Sequence, residues 1–225
     1  MGKELTARYL HAHSPLAGGP FIAVNCASLS DEVAATMLFG HARGAFAGAR
    51  DSRAGLIDQA AGGSLFLDGI DELGAKAQAM LLRLLEDKRF QPLGDASTRL
   101  AECRFMASTN IDLQAAVAAR VFRSDLYYRL EAGHLRLPSL RERWQDILPL
   151  AHGFLQTWCA AESGQAARSL SASAEAALRA HDWPGNIREL KNRVLRAAVM
   201  SDEGVLREHD LFPEGGLAVK GGTDL

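Results

Sequence analysis

Asp68 closes the stretch Gly62-Gly63-Ser64-Leu65-Phe66-Leu67-Asp68-Gly69-Ile70, an apolar run that follows a glycine pair and ends on a carboxylate. A continuous apolar run of this length reads as a strand buried on both faces, and in open α/β sheets ligands sit at the carboxyl ends of the strands. A carboxylate at such a tip suits a Mg²⁺ ion that carries phosphate oxygens. Cys103-Arg104-Phe105-Met106-Ala107-Ser108-Thr109-Asn110 is a second strand-like run ending in polar groups, with Asn110 last. Gly2-Lys3-Glu4 stands at the mouth of a helix, where backbone N–H groups and a lysine ammonium can meet phosphates. Gly-Lys is a common dipeptide, so this last reading depends on what surrounds it.

The elements that must position these groups alternate between strand and helix. Glu4 to His13 reads as a helix, Phe21 to Cys26 as a short buried strand set off by Gly18-Gly19-Pro20, and Ser30-Asp31-Glu32 as the start of a helix ending near Phe39. The small residues of His41 to Arg50 surround one exposed Phe46 and fit neither period. Leu56 to Ala60 makes a helical piece, and Ala75 to Lys88 a strongly amphipathic helix with Met80, Leu81, Leu84 and Leu85 inward. Phe90-Leu93 and Arg99-Leu100 can pair as a hairpin across Gly94-Asp95. A helix from about Asp112 leads to Val121–Leu130, and His134-Leu135-Arg136-Leu137 reads as a last strand stopped by Pro138. This order predicts a parallel sheet layered with helices.

Strand signals stop at Arg141. Three helical stretches follow, at about Trp144 to Glu162, Ser171 to His181 and Ile187 to Met200, so a subdomain boundary is expected near residue 140. Trp144 and Trp183 read as core anchors, and Asn186 as the N-cap of the helix carrying Arg188. The expected organisation is an α/β core over 1–140, a small all-helical lid over 141–214 and a Gly-rich tail or linker over 215–225.

Composition narrows the class. The chain has 225 residues, 48% of them hydrophobic and 23% charged, with a formal net charge of -2. That is the profile of an ordinary globular protein without the global basicity of many nucleic-acid binders. Cys26, Cys103 and Cys159 lack paired metal spacing, which argues against a zinc site or disulfide framework and for a reducing cytoplasm. No stretch has a transmembrane length, and the seven histidines do not cluster.

Several motifs occur in one order: Phe21-Ile22-Ala23-Val24-Asn25-Cys26-Ala27, Leu38-Phe39-Gly40-His41, Gly44-Ala45-Phe46-Ala47-Gly48-Ala49, Gly63-Ser64-Leu65-Phe66-Leu67-Asp68, Phe122-Arg123-Ser124-Asp125-Leu126-Tyr127-Tyr128-Arg129-Leu130, Leu137-Pro138-Ser139-Leu140-Arg141-Glu142-Arg143 and Trp183-Pro184-Gly185-Asn186-Ile187-Arg188-Glu189-Leu190. From Gly2 to about Pro213 the chain closely resembles the central AAA+ domain of bacterial sigma-54-dependent transcription activators. The resemblance implies a P-loop NTPase-like core and a ring, usually a hexamer, that couples ATP hydrolysis to remodelling of the sigma-54 RNA polymerase complex. It implies that Gly2, Lys3 and Glu4 belong to the ATP phosphate loop, that Asp68 holds Mg²⁺, and that Asn110 senses the γ-phosphate. Arg123 and Arg129 would be arginine fingers offered to the neighbouring subunit, a device that contributes roughly 10³–10⁵ in rate. Arg188 would be the second sensor, and Gly44 to Ala49 the loop that contacts sigma-54. Without the resemblance, Arg123 and Arg129 read rather as surface ion-pair partners on an amphipathic helix; the flanking Asp125-Leu126-Tyr127-Tyr128 favours the fingers.

Three departures from the family pattern bear on function. The phosphate loop is expected to be truncated, with Met1 standing where the loop should be under way and the preceding strand absent. Gly69 occupies the position of the family's catalytic glutamate, and positioned general bases contribute roughly 10²–10⁴ in rate. Asp71 and Glu72 lie past Ile70 and would need a rearranged strand end to substitute. Ala47 stands where the family's loop carries a threonine hydroxyl. The family's DNA-binding helix-turn-helix is not among the motifs either. Two readings follow: an ATP-binding activator domain with impaired hydrolysis, or a non-hydrolysing interaction fragment, or degenerate gene product, that joins an intact homologue through Arg123 and Arg129.

Overall fold

The computed structural model describes residues 2–161 and 168–213, and the chain divides into two compact units, Gly2–Leu135 and Arg136–Leu225. The Gly-rich tail expected over 215–225, and the end of the helix expected at Glu162, lie outside the described residues.

The first unit opens with α1 (Lys3–Ala12), which leads into β1 (Phe21–Asn25) and α2 (Asp31–Phe39). A two-residue hairpin, β2 (Gly40–His41) with β3 (Arg53–Ala54), follows, then α3 (Leu56–Gln59), β4 (Ser64–Asp68) and α4 (Ala75–Asp87). A second small hairpin joins β5 (Arg89–Phe90) to β6 (Arg99–Leu100), and the unit continues with β7 (Arg104–Ser108), α5 (Leu113–Ala118) and α6 (Ser124–Glu131).

The sheet has the order β1-β4-β7, all parallel. Its middle strand is the apolar run identified in the sequence, and Leu65, Phe66 and Leu67 are almost wholly buried. The register aligns Asn25 with Asp68 and Asp68 with Ser108, so three polar side chains stand in a row at the carboxyl ends. The glycine pair before β4 has a steric cause. A Cβ on Gly63 would lie 2.0 Å from the Pro20 carbonyl oxygen, and one on Gly19 would lie 2.0 Å from that of Gly62, so the chain segments entering β1 and β4 approach too closely for side chains.

Around the sheet, α1 packs on β1 and β4. Its buried His11 Nδ1 lies 2.9 Å from Ser64 Oγ. Helix α4 turns Leu81, Leu84 and Leu85 into the core with Met80 half-buried against it, as its periodicity predicts. The amides of its first turn are met from outside: the Asp31 carboxylate accepts from Lys76 and Ala77 N–H at 3.3 and 3.2 Å.

In the second unit a 3₁₀ segment (Arg141–Asp146) precedes α7 (Ile147–Ala161), followed by β8 (Ser169–Leu170), α8 (Ala172–Ala180), α9 (Asn186–Met200), β9 (Val205–Leu206) and α10 (Glu208–Leu211). Leu140, Ile147, Leu155, Trp183, Leu190 and Val194 form its separate core. This is the helical lid, with one addition: β8 and β9 pair in parallel over two residues each, too short to leave a periodic signal.

Three expectations are corrected. His134-Leu135-Arg136-Leu137 forms no strand. Leu135 is 60% exposed, and the alternating pattern has no partner strand to pair with among the described residues. Trp144 is 58% exposed rather than a core anchor. Leu140 and Ile147, on either side of the 3₁₀ segment, take the buried positions, and the backbone kinks at Arg143 (φ -126, ψ 52) between them. Asn186 does not cap α9; its backbone is left-handed (φ 53) and its Oδ1 accepts from Leu140 N–H at 2.8 Å. Glu189 reaches back instead and accepts from Gly185 N–H at 2.9 Å.

Candidate functional site

At the carboxyl end of the sheet, the sequence dictates where each polar group lands. Strand β4 ends on Asp68 because Gly69 follows with a left-handed backbone (φ 79, ψ 52) that stops the extended chain and starts a 3₁₀ turn over Ile70–Glu72. The turn is pinned: Gly69 N–H donates to the Ser108 carbonyl at 3.0 Å. A Cβ at Gly69 has room, with Glu72 Cγ 3.6 Å away, but the left-handed backbone would cost an L side chain about 1–2 kcal/mol. Ser108 Oγ donates to Asp68 Oδ1 and orients the carboxylate.

Lys3 comes to the same place from the start of α1. Its ammonium donates to the Thr109 carbonyl and to Asn110 Oδ1, so the lysine, the second strand tip and the acid of the first are brought together. Burial lowers the Lys3 ammonium below the usual lysine range, against the opposing pull of Asp68 and Asp71. Gly2 occupies the N-cap position of α1 with no side-chain cap, which leaves the first-turn amides available to an anion. The Glu4 side chain is engaged elsewhere, pairing with Arg8 at 2.8 Å on the exposed face of the helix.

Cys26, just past the end of β1, is fully buried. Burial pushes its thiol up to about 12, with Asp68, Asp71 and Glu72 adding to the effect, so it is no nucleophile. Among the described residues no group of three or more His, Cys, Asp or Glu side chains is placed to hold a metal ion by itself. A single oriented carboxylate fits Mg²⁺, which is commonly held by one or two carboxylates together with water and substrate phosphates.

The remaining candidates have partners or positions of their own. Arg123 makes a paired contact with Asp125, Nη2 to Oδ2 at 2.7 Å and Nε to Oδ1 at 3.0 Å, and about half of each side chain is in solvent. Arg129 donates from Nη2 to the Leu85 carbonyl at 3.0 Å. Arg188 sits exposed on the first turn of α9 in the second unit.

The segment Gly44-Ala45-Phe46-Ala47-Gly48-Ala49 rises from the β2–β3 hairpin as a series of turns, closed by Gly44 N–H to the Ala49 carbonyl at 2.9 Å. Phe46 is 45% exposed, its ring 5.0 Å from that of His41. The base of the loop is stitched to the neighbouring hairpin by Leu93 N–H to the Gly40 carbonyl (3.0 Å) and Ala42 N–H to the Leu93 carbonyl (2.9 Å). Sequence reasoning missed this stitching, and the roles of Ser108 and Thr109 as partners of Asp68 and Lys3. The polar run after β7 carried the signal for the latter.

A parallel sheet layered with helices, with a lysine, a carboxylate and an amide at its strand ends and a helical lid after it, defines an AAA+ type of α/β domain. The model of the Sigma-54 interaction domain matches residues 1–136, and that of the AAA+ ATPase lid domain matches residues 141–218. The chain belongs to the sigma-54 interaction domain family. It is 45% identical over 213 residues to the regulatory protein AtoC of Escherichia coli (strain K12), spanning 95% of this chain and 46% of that protein. It is 46% identical over 202 residues to the alginate biosynthesis transcriptional regulatory protein AlgB of Pseudomonas aeruginosa, spanning 90% of this chain and 45% of that protein. Thus the chain spans about half the length of these curated relatives. NtrX from Brucella abortus has the same fold: its complex with ADP matches with a TM-score of 0.85 at 31% identity, over 97% of this chain and 50% of that one. The complex of NtrX with ATP matches with a TM-score of 0.82 at 34% identity, over 93% and 48%.

Proposed function

We propose that the chain is the ATP-binding motor portion of a sigma-54-dependent transcriptional activator, working in the cytoplasm, with hydrolysis slower than the family pattern provides. The observation that carries this is the convergence of Lys3, Asp68 and Asn110 at the N-terminus of α1. Phosphoryl transfer is catalysed mainly by positioning and charge neutralisation, and these groups supply a cation, a Mg²⁺ ligand and a polar sensor. The ADP and ATP complexes of NtrX support the same assignment.

In this reading the nucleotide's phosphates replace the Thr109 carbonyl and Asn110 as partners of Lys3, and Asn110 then reports the γ-phosphate to β7. Arg123 and Arg129 act in trans in a homo-oligomeric, hexameric ring, Arg123 exchanging Asp125 for the neighbour's nucleotide. Arg188 serves as the second sensor. Phe46, at the tip of the 44–49 loop, engages sigma-54 by apolar contact without the hydroxyl that Ala47 lacks. Nucleotide state is thereby coupled to the sigma-54 RNA polymerase complex. The absence of a side chain at Gly69 favours a second reading, in which the chain only joins and modulates rings of an intact homologue.

The test is nucleotide-dependent melting of the full chain. A ligand at about 100 times its Kd stabilises by about 2.7 kcal/mol, so saturating ATP with Mg²⁺ is expected to raise Tm by several degrees. Lys3→Ala is expected to abolish the shift, whereas Glu4→Gln leaves it in place. An unshifted native chain would refute the nucleotide reading. Binding without turnover, together with co-assembly with an intact relative, would favour the second.

A further inference from the structure

Among the described residues, Asp71 is the one acidic side chain at the strand ends with a buried acceptor left over. Its Oδ1 is buried and has no hydrogen-bond partner among the described residues. It comes from the 3₁₀ turn that the left-handed Gly69 starts, and it is close enough to act electrostatically on both the Lys3 ammonium and the Cys26 thiol, as Asp68 does. The turn thus supplies the altered strand end that the sequence alone gave no reason to expect.

The other groups nearby are committed or unsuited. Asp68 takes the Ser108 hydroxyl, and Lys3 and Asn110 hold each other. Cys26 is a buried, protonated thiol, and Glu72 is exposed. A buried carboxylate oxygen without a donor is destabilising, and such an exception in a native fold calls for an explanation, a catalytic role among them.

We propose that Asp71 replaces the acid missing at Gly69: its Oδ1 accepts a hydrogen bond from the water that attacks the γ-phosphate and holds that water in line. This rests on the nucleotide reading above. In the step, the water oxygen forms a bond to the γ-phosphorus while the bond from that phosphorus to the β–γ bridging oxygen breaks. ADP leaves with the electron pair, and both protons of the water end on the released phosphate, one of them by way of Asp71 Oδ1. Nothing is oxidised or reduced. Asp is one methylene shorter than Glu and comes from a turn rather than the strand tip, so turnover is slowed but not lost.

The experiment compares the full chain with Asp71→Asn, Asp71→Ala and Glu72→Gln, measuring ATP turnover over a range of chain concentrations, the affinity for a fluorescent ATP analogue with Mg²⁺, and the Tm of the nucleotide-free protein. Turnover is expected to fall by about 10²–10⁴-fold in both Asp71 variants, in the range of positioned acid–base groups, and to persist in Glu72→Gln. Analogue affinity is expected to stay unchanged throughout, and the nucleotide-free Tm of Asp71→Ala to match or exceed that of the native chain. A purely structural Asp71 would instead lower Tm on truncation, with turnover following it. Native turnover retained in Asp71→Asn, or a native chain that binds the analogue and never turns over ATP, would overturn the proposal. Failure of the native chain to bind the analogue would overturn the nucleotide reading itself.

Discussion

The strand ends of the first unit and the Trp183 cluster of the second treat their polar groups in opposite ways. Around Trp183, among the described residues, the buried polar groups find partners within the cluster. The indole N–H donates to the Leu178 carbonyl at 2.9 Å, and the backbone N–H of Trp183 donates to His181 Nδ1 at 3.0 Å. Glu189 accepts from Gly185 N–H and, at 3.0 Å, from Arg193 Nε. At the strand ends, Lys3 borrows a carbonyl and an amide, Asp71 keeps an unmatched oxygen, and the α1 N-terminus has no cap. A satisfied network rigidifies a core, whereas a buried polar group left unpaired costs stability and calls for an explanation in function. The lid cluster is built for stability, and the strand ends hold capacity for something else.

The largest test of this contrast is Trp183→Ala. Trp183 is 1% exposed and packs against the rings of His181 and Phe212. Its removal is expected to cost about 3–5 kcal/mol, enough to unfold the second unit under mild conditions, as followed by urea titration. Lys3→Ala at the strand ends is expected to leave the nucleotide-free midpoint almost unmoved. Equal losses at the two places would break the comparison.

A finer test compares two carboxylates within the first unit. Asp31 is matched to the first-turn amides of α4, the cap that Gly74 cannot provide. Asp31→Ala is therefore expected to cost about 1 kcal/mol, the usual value of a lost N-cap, measured as a lower urea midpoint at constant slope. Asp71→Ala, which removes an unmatched acceptor, is expected to cost nothing. The two variants remove the same chemical group, so the difference compares a carboxylate that accepts backbone hydrogen bonds with one whose buried Oδ1 accepts none.

The sequence announced what local pattern determines. The apolar run of β4, the periodicity of α4 and the polar tips Asp68 and Asn110 were legible because burial writes itself as residue type. The misses came where partners decide. His134-Leu135-Arg136-Leu137 alternates like a strand and pairs with none, and Trp144 is apolar but flanked by better-buried Leu140 and Ile147. Asn186 has the composition of a cap and is drawn off by Leu140 N–H. The two-residue hairpin that seats the 44–49 loop is too short for any period. As for the site, Lys3, Asp68 and Asn110 could each be named from the sequence. The left-handed turn at Gly69 that brings Asp71 toward Lys3 could not, since glycine permits that conformation without requiring it.

The smallest expected effect is a pH dependence confined to the satisfied cluster. Burial lowers the His181 imidazolium below the usual histidine range, against Glu189 and Asp182, which favour the charged form, and with Arg193, which opposes it. The hydrogen bond supplies a further reason. Nδ1 accepts from Trp183 N–H, so in the neutral ring the proton is assigned to Nε2, and protonating Nδ1 would set two donors against each other. With the folded pKa depressed, the unfolded chain binds more protons as pH falls below about 6.5. The contribution of His181 to stability is therefore fully present above about 6.5 and is lost as pH falls toward and through the folded value. His181→Asn keeps an acceptor two residues before Trp183 N–H, a geometry natural to Asn, and removes the titration. Its urea midpoint, followed by tryptophan fluorescence, is expected to fall less steeply between pH 7 and pH 5 than that of the native chain. An equally steep fall in the variant would mean that the acid sensitivity lies in other groups, and that the cluster's satisfaction does not depend on a neutral ring.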